Sequence, residues 1–482
     1  MNRRQILGFA VGPVGAGLLS LVSLPVMTWI FPPDMIGKLS MLQVATSLCT
    51  LLCCLGLDQA YVREYHESPD RSALLLNAVA PGLGVLTVVL AGVTIFSPTM
   101  LPIIMFNERD TRLGLVVVVC LVAVYLSRFL SLILRMQNRG FAYSMSQLLS
   151  KLLLLLIILG YAWFSTSRNF MMLLGAQAGA FVFTFGVFTW NTRGDWWPAL
   201  HAKFERAQIV QLLQFGGPLV FAGLASWGLA AMDRVFLRSM SVYSELAVYS
   251  VAASMAAAVT IIAGIFNTIW SPMVYRWIAD KVDMHRIDLI GSQMSLLLFM
   301  LVCLAGGCSW ALKYLIPATY EQVPYLLVGC MVSPLLYTLS EVTGIGIALS
   351  RKTLFSMLAS LGAALLNILL CYFLIAPLGA TGAMIATACS FFLFFVLRTE
   401  FSAALWRKTN RANHYAYAGC SVVLAIAYAL IGSAFPICSV LVWWAVLVSL
   451  TIMGRKTLLS LWTSAVANLF PASSSIRCQV RR

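Results

Sequence analysis

"QFGGPLVFAGLASWGLAA", Gln214–Ala231, contains no charged residue, and "GFAVGPVGAGLLSLVSLP", Gly8–Pro25, echoes it near the start of the chain. Each stretch has Phe followed by Gly and Pro near its beginning (Phe9, Gly12, Pro13; Phe215, Gly217, Pro218). A run of about 20 apolar residues is what a helix needs to cross a hydrocarbon layer. Working outward, such runs recur along all 482 residues, of which 61% are hydrophobic and only 10% charged. Soluble domains carry about 25% charged residues. With a mean hydropathy of +0.90, the solvent for most of this surface is lipid. The chain reads as an all-α polytopic membrane protein with about 14 transmembrane helices.

The repeat continues beyond the opening pair. "NRGFAYSM" (138–145) echoes "SRKTLFSM" (350–357), and both open a helix after a short basic turn. Two pseudo-symmetric six-helix lobes plus a C-terminal helix pair fit this spacing, and paired lobes are the common architecture of alternating-access transporters. The expected boundaries are an N-lobe at 1–190, an amphipathic linker at 191–212 and a C-lobe at 213–401. An extra helix pair follows at 402–454 and a basic tail at 455–482. Within the C-lobe, the seventh and eighth helices are expected over about 213–237 and 246–271.

The formal charge of +15 raises nucleic-acid binding, but the basic residues form no dense patch interleaved with aromatics. They lie in short clusters between apolar runs. With the N-terminus in the cytoplasm, 23 of the 32 Lys and Arg residues fall inside and six outside, while Lys151, Arg128 and Arg234 lie within spans. That bias follows the positive-inside rule and places both termini in the cytoplasm. The first apolar run is too long for a signal-peptide core and is read as a retained membrane helix.

The 12 cysteines are scattered through apolar runs and the four histidines are dispersed, so no metal site is expected. No phosphate-binding loop, zinc-protease motif or nucleophile elbow is present. The chain reads as a protein without a cofactor and not as an enzyme.

Charges at membrane depth are costly and mark partners or wet cavities. Lys151 lies about 15 Å into the fifth helix, and its flank, "SKLLLLLIILG", offers no acid. It is the leading candidate for a cavity-lining cation, followed by Arg128 in "YLSRFLSLILR". Glu341, in "LSEVTGIGIALS", is a candidate relay or partner for a buried base. Asp58 and Arg63, at the inner end of helix 2, are interfacial candidates. Asp233 and Arg234 sit near the outer end of helix 7 and point about 100° apart, so they cannot pair with each other. They are expected at the lumen or its outer gate, or as a lobe-to-lobe salt bridge. Pro13, Pro81, Pro218 and Pro334 lie inside apolar spans and bend them.

"FGGPLVFAGLASWGLAAMDRVFLRSMSVYSELAVYSVAASM" (215–255) resembles the start of the second lobe in bacterial polysaccharide flippases of the Wzx type. "IFNTIWSPMVYRW", "YLIPATYEQVPYLLVG" and "APLGATGAMIAT" resemble further segments of that family. The resemblance covers most of the chain and implies the fold of the MOP exporter superfamily and a place in the bacterial inner membrane. It implies transfer of undecaprenyl-pyrophosphate-linked oligosaccharide from the cytoplasmic to the periplasmic leaflet for O-antigen, capsule or exopolysaccharide. A polysaccharide polymerase and a chain-length protein would be its partners. Lys151 and Arg128 would then meet the pyrophosphate. Fourteen helices also match the related lipid II flippases. A drug antiporter of the same superfamily and a membrane glycan polymerase or ligase are the other readings.

Overall fold

A computed structural model describes residues 3–137, 139–164, 169–280, 285–407 and 411–455. The tail expected at 455–482 lies outside the described residues beyond Arg455, as do Arg168, Lys281 and Lys408. Regular structure among the described residues is helical throughout. The first lobe comprises α1 (Arg3–Ile30), α2 (Pro33–Cys54), α3 (Leu57–Glu64), α4 (Arg71–Phe96), α5 (Met100–Phe106), α6 (Thr111–Met136), α7 (Gly140–Phe164) and α8 (Phe170–Asn191). The short α9 (Arg193–Ala199) leads to the second lobe. That lobe comprises α10 (Arg206–Met240), α11 (Tyr243–Ala256), α12 (Ala258–Ala279), α13 (His285–Cys308), α14 (Val323–Thr343), α15 (Ile345–Leu349) and α16 (Leu354–Leu405). α17 (Ala412–Ile431) and α18 (Pro436–Met453) form the final pair.

Eleven of these helices are long and apolar enough to span a bilayer. One of them, the 52-residue α16, is two spans joined at Gly379, whose φ of 54° and ψ of −128° break the helix. With α1, and with α11 and α12 counted as one span running through Ala257, the crossings number fourteen. Helix starts follow ordinary capping chemistry. Asp70 Oδ1 accepts from the Ser72 and Ala73 N–H groups at 2.9 and 3.1 Å, and Asn169 accepts from the Met172 N–H at 3.0 Å.

The two repeat pairs found in the sequence are also the principal packing pairs. α1 packs on α7 in the first lobe and α10 on α16 in the second, so each echoed segment meets its own lobe's other echo. The α1–α7 contact is close at Gly12 and Gly15. A Cβ on either would come within 2.7 Å of Ser144 or Leu148 atoms. α17 packs on α13 and α14, and α18 on α13. Large apolar side chains such as Phe96 (89% exposed) and Trp163 (85%) face outward, as hydrocarbon-facing residues do.

Two expected boundaries are corrected. α10 begins at Arg206 rather than near 213, because Ile209 and Leu212 are buried and continue the helical stripe of the span. The eighth span runs from Tyr243 to Ala279 rather than over 246–271, and Ala257, where α11 passes into α12, keeps helical dihedrals (φ −61°, ψ −18°).

The lobes meet where α2 touches α10 and α11, and where α3 touches α10. On the face where α1 starts, Gly56 has φ +71° and lies against Gly216. A Cβ on Gly56 would stand 2.1 Å from the Gly216 carbonyl oxygen. Glycine is required here both for the left-handed backbone and for the approach.

Candidate translocation site

Lys151 projects from α7 toward α1. Its Nζ donates to the Ala16 carbonyl at 3.1 Å and to Ser20 Oγ at 2.5 Å, and Ser20 Oγ in turn donates to Ala16 O at 2.8 Å. Two of the ammonium's three donors are thus used, both on neutral oxygens. Among the described residues no carboxylate pairs with Lys151. The residue remains partly accessible. It is a positioned cation at membrane depth whose charge the described protein leaves open.

Arg128 is held differently. Its Nη2 and Nε donate to Asp58 Oδ2 at 2.7 and 3.2 Å, and Gln59 Nε2 donates to the same oxygen at 3.1 Å. The structure brings together two residues that the sequence set at separate places. Asp58, expected at the interface, is buried because α3 folds back beneath α6 after the turn at Leu55–Gly56. Arg63 is 57% exposed and lies over the Phe215 ring of α10, 4.5 Å from its centroid.

Glu341 finds the base it needed. Arg398 Nη1 donates to Glu341 Oε1 at 2.5 Å and to Ser340 Oγ at 3.1 Å, with the guanidinium over Phe394. Arg398 is one of the 23 basic residues counted on the cytoplasmic side. It is 9% exposed because α16 continues to Leu405 and carries it inside the lobe. The unpaired acid at 341 was the signal that could have located it.

Asp233 is 3% exposed and lies inside the second lobe, near the end of α10 as expected, with all its described polar partners in that lobe. Its carboxylate accepts from Tyr249 Oη, from Thr387 Oγ1 at 3.3 Å and from the Arg234 backbone N–H at 2.7 Å. Asn367 Nδ2 donates to Thr387 Oγ1 at 3.5 Å. The network therefore ties α10, α11 and both halves of α16. Arg234 has a buried Nε without a hydrogen-bond partner among the described residues.

On the face opposite the start of α1, Lys38 pairs with Asp34 at 2.9 Å and Glu108 at 2.7 Å. Tyr243 of the second lobe lies between Lys38 and Arg238, at 5.4 and 4.9 Å from its ring centroid. Its hydroxyl donates to the Met105 carbonyl at 3.0 Å, and Arg238 Nη2 donates to Ile103 O at 3.1 Å. Deeper in the membrane, Trp227 Nε1 reaches from α10 to Ser47 Oγ of α2 at 3.0 Å. No ion pair among the described residues joins the first lobe to the second; the polar contacts between them are neutral hydrogen bonds, arginine–carbonyl contacts and cation–π contacts, beside the close packing of α2 and α3 on α10 and α11.

Two echoed six-helix lobes, with deep charges held inside each lobe, define a two-lobed polytopic membrane fold. The fold is similar to that of the lipid II flippase MurJ in an inward closed conformation, with a TM-score of 0.67 and 11% identity. That match covers 93% of this chain and 99% of the other. An inward-facing multidrug resistance MATE family transporter of the MOP superfamily matches with a TM-score of 0.53 and 13% identity. It covers 84% of this chain and 96% of that one. No curated protein matches the sequence significantly. A family model described as polysaccharide biosynthesis protein matches residues 4–278, more than half of the chain. The chain belongs to that polysaccharide biosynthesis protein family.

Proposed function

We propose that the protein is a flippase that moves undecaprenyl-pyrophosphate-linked oligosaccharide from the cytoplasmic to the periplasmic leaflet of the bacterial inner membrane. Both termini are cytoplasmic in this reading, and the residues 1–190 and 213–401 rock against each other around the substrate. The observation that carries the proposal is Lys151, a positioned ammonium at membrane depth that no described carboxylate neutralises. A pyrophosphate would supply the missing anion, with charge-assisted hydrogen bonds as the attraction. Arg128 serves as a second cation, since its partner Asp58 leaves the side chain 37% exposed. The polyprenyl chain stays in lipid while the sugars cross between the lobes. The proposed partners are the downstream polymerase and chain-length protein of surface polysaccharide assembly.

The test is to delete the gene and locate the lipid-linked oligosaccharide. Build-up on the cytoplasmic leaflet, rescued by wild type and not by Lys151→Ala, supports the proposal. Normal flipping with Lys151→Ala would sink it. A second reading, lipid II as substrate, is favoured by the fourteen-helix likeness to MurJ over nearly the whole chain. Rescue of a strain depleted of its lipid II flippase would select that reading.

A further inference from the structure

On the face opposite the start of α1, four connections of the second lobe and the final helix pair surround a cavity of about 500 Å³. They are the α10–α11 link, the start of α14, the break in α16 and the end of α17. The volume lies within the range of about 300–1,000 Å³ typical of ligand sites. The cavity is not a chance gap between loops, because its floor is built. Gly379 takes its positive φ there, and a Cβ on it would lie 2.5 Å from Glu245 Oε2. That same oxygen accepts the Ala380 N–H at 2.8 Å, so Glu245 of α11 holds the first turn of the second half of α16.

The lining is polar in an unusual way. Ser241, Glu245, Gln322, Tyr325, Thr381 and Ser433 all border the cavity. Elsewhere in this chain Ser and Thr hydroxyls mostly bond back to helix carbonyls, as at Ser20, Thr87 and Ser421. Here Glu245 Oε1, the Gln322 amide, the Tyr325 hydroxyl and the hydroxyls of Ser241, Thr381 and Ser433 have no protein partner among the described residues. Several donors and several acceptors thus face one space. Lys313 Nζ sits 5.9 Å from the Tyr325 ring centroid, and no Lys or Arg is among the lining residues.

We infer that this cavity is a glycan-binding subsite that takes a neutral, polyhydroxylated segment of the substrate on the release side. Sugar hydroxyls both donate and accept, which matches a mixed ring of amide, hydroxyl and carboxylate oxygen. An apolar ligand would strip water from these groups and return no hydrogen bonds. A phosphate would be repelled by Glu245, and one carboxylate is too few for a hard cation. The subsite lies wholly within the second lobe and the final helix pair, so it keeps its shape whichever way the lobes lean. The assignment rests on the flippase reading for its choice of face and ligand.

The experiment uses the full chain in lipid nanodiscs. The probe is the repeat-unit oligosaccharide released by mild acid from the producing strain's own lipid-linked precursor, so it carries neither pyrophosphate nor lipid. Binding is read by saturation-transfer NMR. Wild type and Lys151→Ala should bind alike, while Gln322→Ala/Thr381→Val should bind at least 10-fold more weakly with unchanged thermal unfolding. Glu245 is left intact because it holds the helix break. Absence of probe binding to wild type, or equal binding by the double variant, overturns the subsite. Failure of wild type to rescue flipping in the deletion strain would overturn the flippase reading instead, which separates the two. Ser433→Trp, which fills the cavity from an exposed position, provides the second variant and should also abolish probe binding.

Discussion

Each lobe pairs an arginine with a carboxylate, but the two differ in how their remaining deep charges are held. In the first, Lys151 is held by a carbonyl and a hydroxyl and has no carboxylate partner among the described residues. In the second, Glu341 has its arginine, and Asp233 is enclosed by Tyr249, Thr387 and a backbone N–H. Sequence repetition thus built two similar scaffolds and charged them differently. The first lobe has a cation available for a ligand, while the acids of the second are satisfied internally.

The sharpest way to break this contrast is Lys151→Ala. Flipping should fall about 100-fold or more, equivalent to about 3 kcal/mol, measured as leaflet-resolved accumulation of the lipid-linked precursor. Thermal stability in detergent should change little, because no buried anion is left behind. Glu341→Ala should do the reverse. It strands Arg398, whose side chain is 10% exposed, and should cost about 3 kcal/mol of stability. The double variant Glu341→Leu/Arg398→Met should recover most of that loss; if it does not, the pair is not the source.

Asp58→Ala should cost less, about 1–2 kcal/mol, because Arg128 is 37% exposed and can turn to water or lipid phosphate. A loss as large as that of Glu341→Ala would erase the distinction between the lobes. The smallest effect belongs to the contact between them. Tyr243→Phe removes the hydrogen bond to Met105 O, worth about 1 kcal/mol. Hydrogen exchange at the amides of α5 should quicken about fivefold, with no change in unfolding temperature.

Much of this architecture was legible before any coordinates. Apolar run length and the Phe-Gly-Pro echo specify the crossings and the doubled lobes, because bilayer thickness fixes the first and repetition the second. The pairing of charges was not legible. Asp58 with Arg128, Glu341 with Arg398, and Asp233 with Thr387 are joined across distant positions of the chain. Nothing local in sequence points from one member to the other. Lys151 stood out because an isolated base in "SKLLLLLIILG" needs no partner to be conspicuous.

That no described ion pair joins the two lobes bears on how fast the molecule can work. Separating the lobes breaks no ion pair; it breaks neutral hydrogen bonds, two arginine–carbonyl contacts and a few cation–π contacts, each worth about 1 kcal/mol, together with the packing of α2 on α10 and α11. A barrier assembled from such small pieces is crossed by thermal motion on the microsecond-to-millisecond scale of domain movements. In the proposed flippase reading, turnover would then be set by how long the pyrophosphate rests on Lys151.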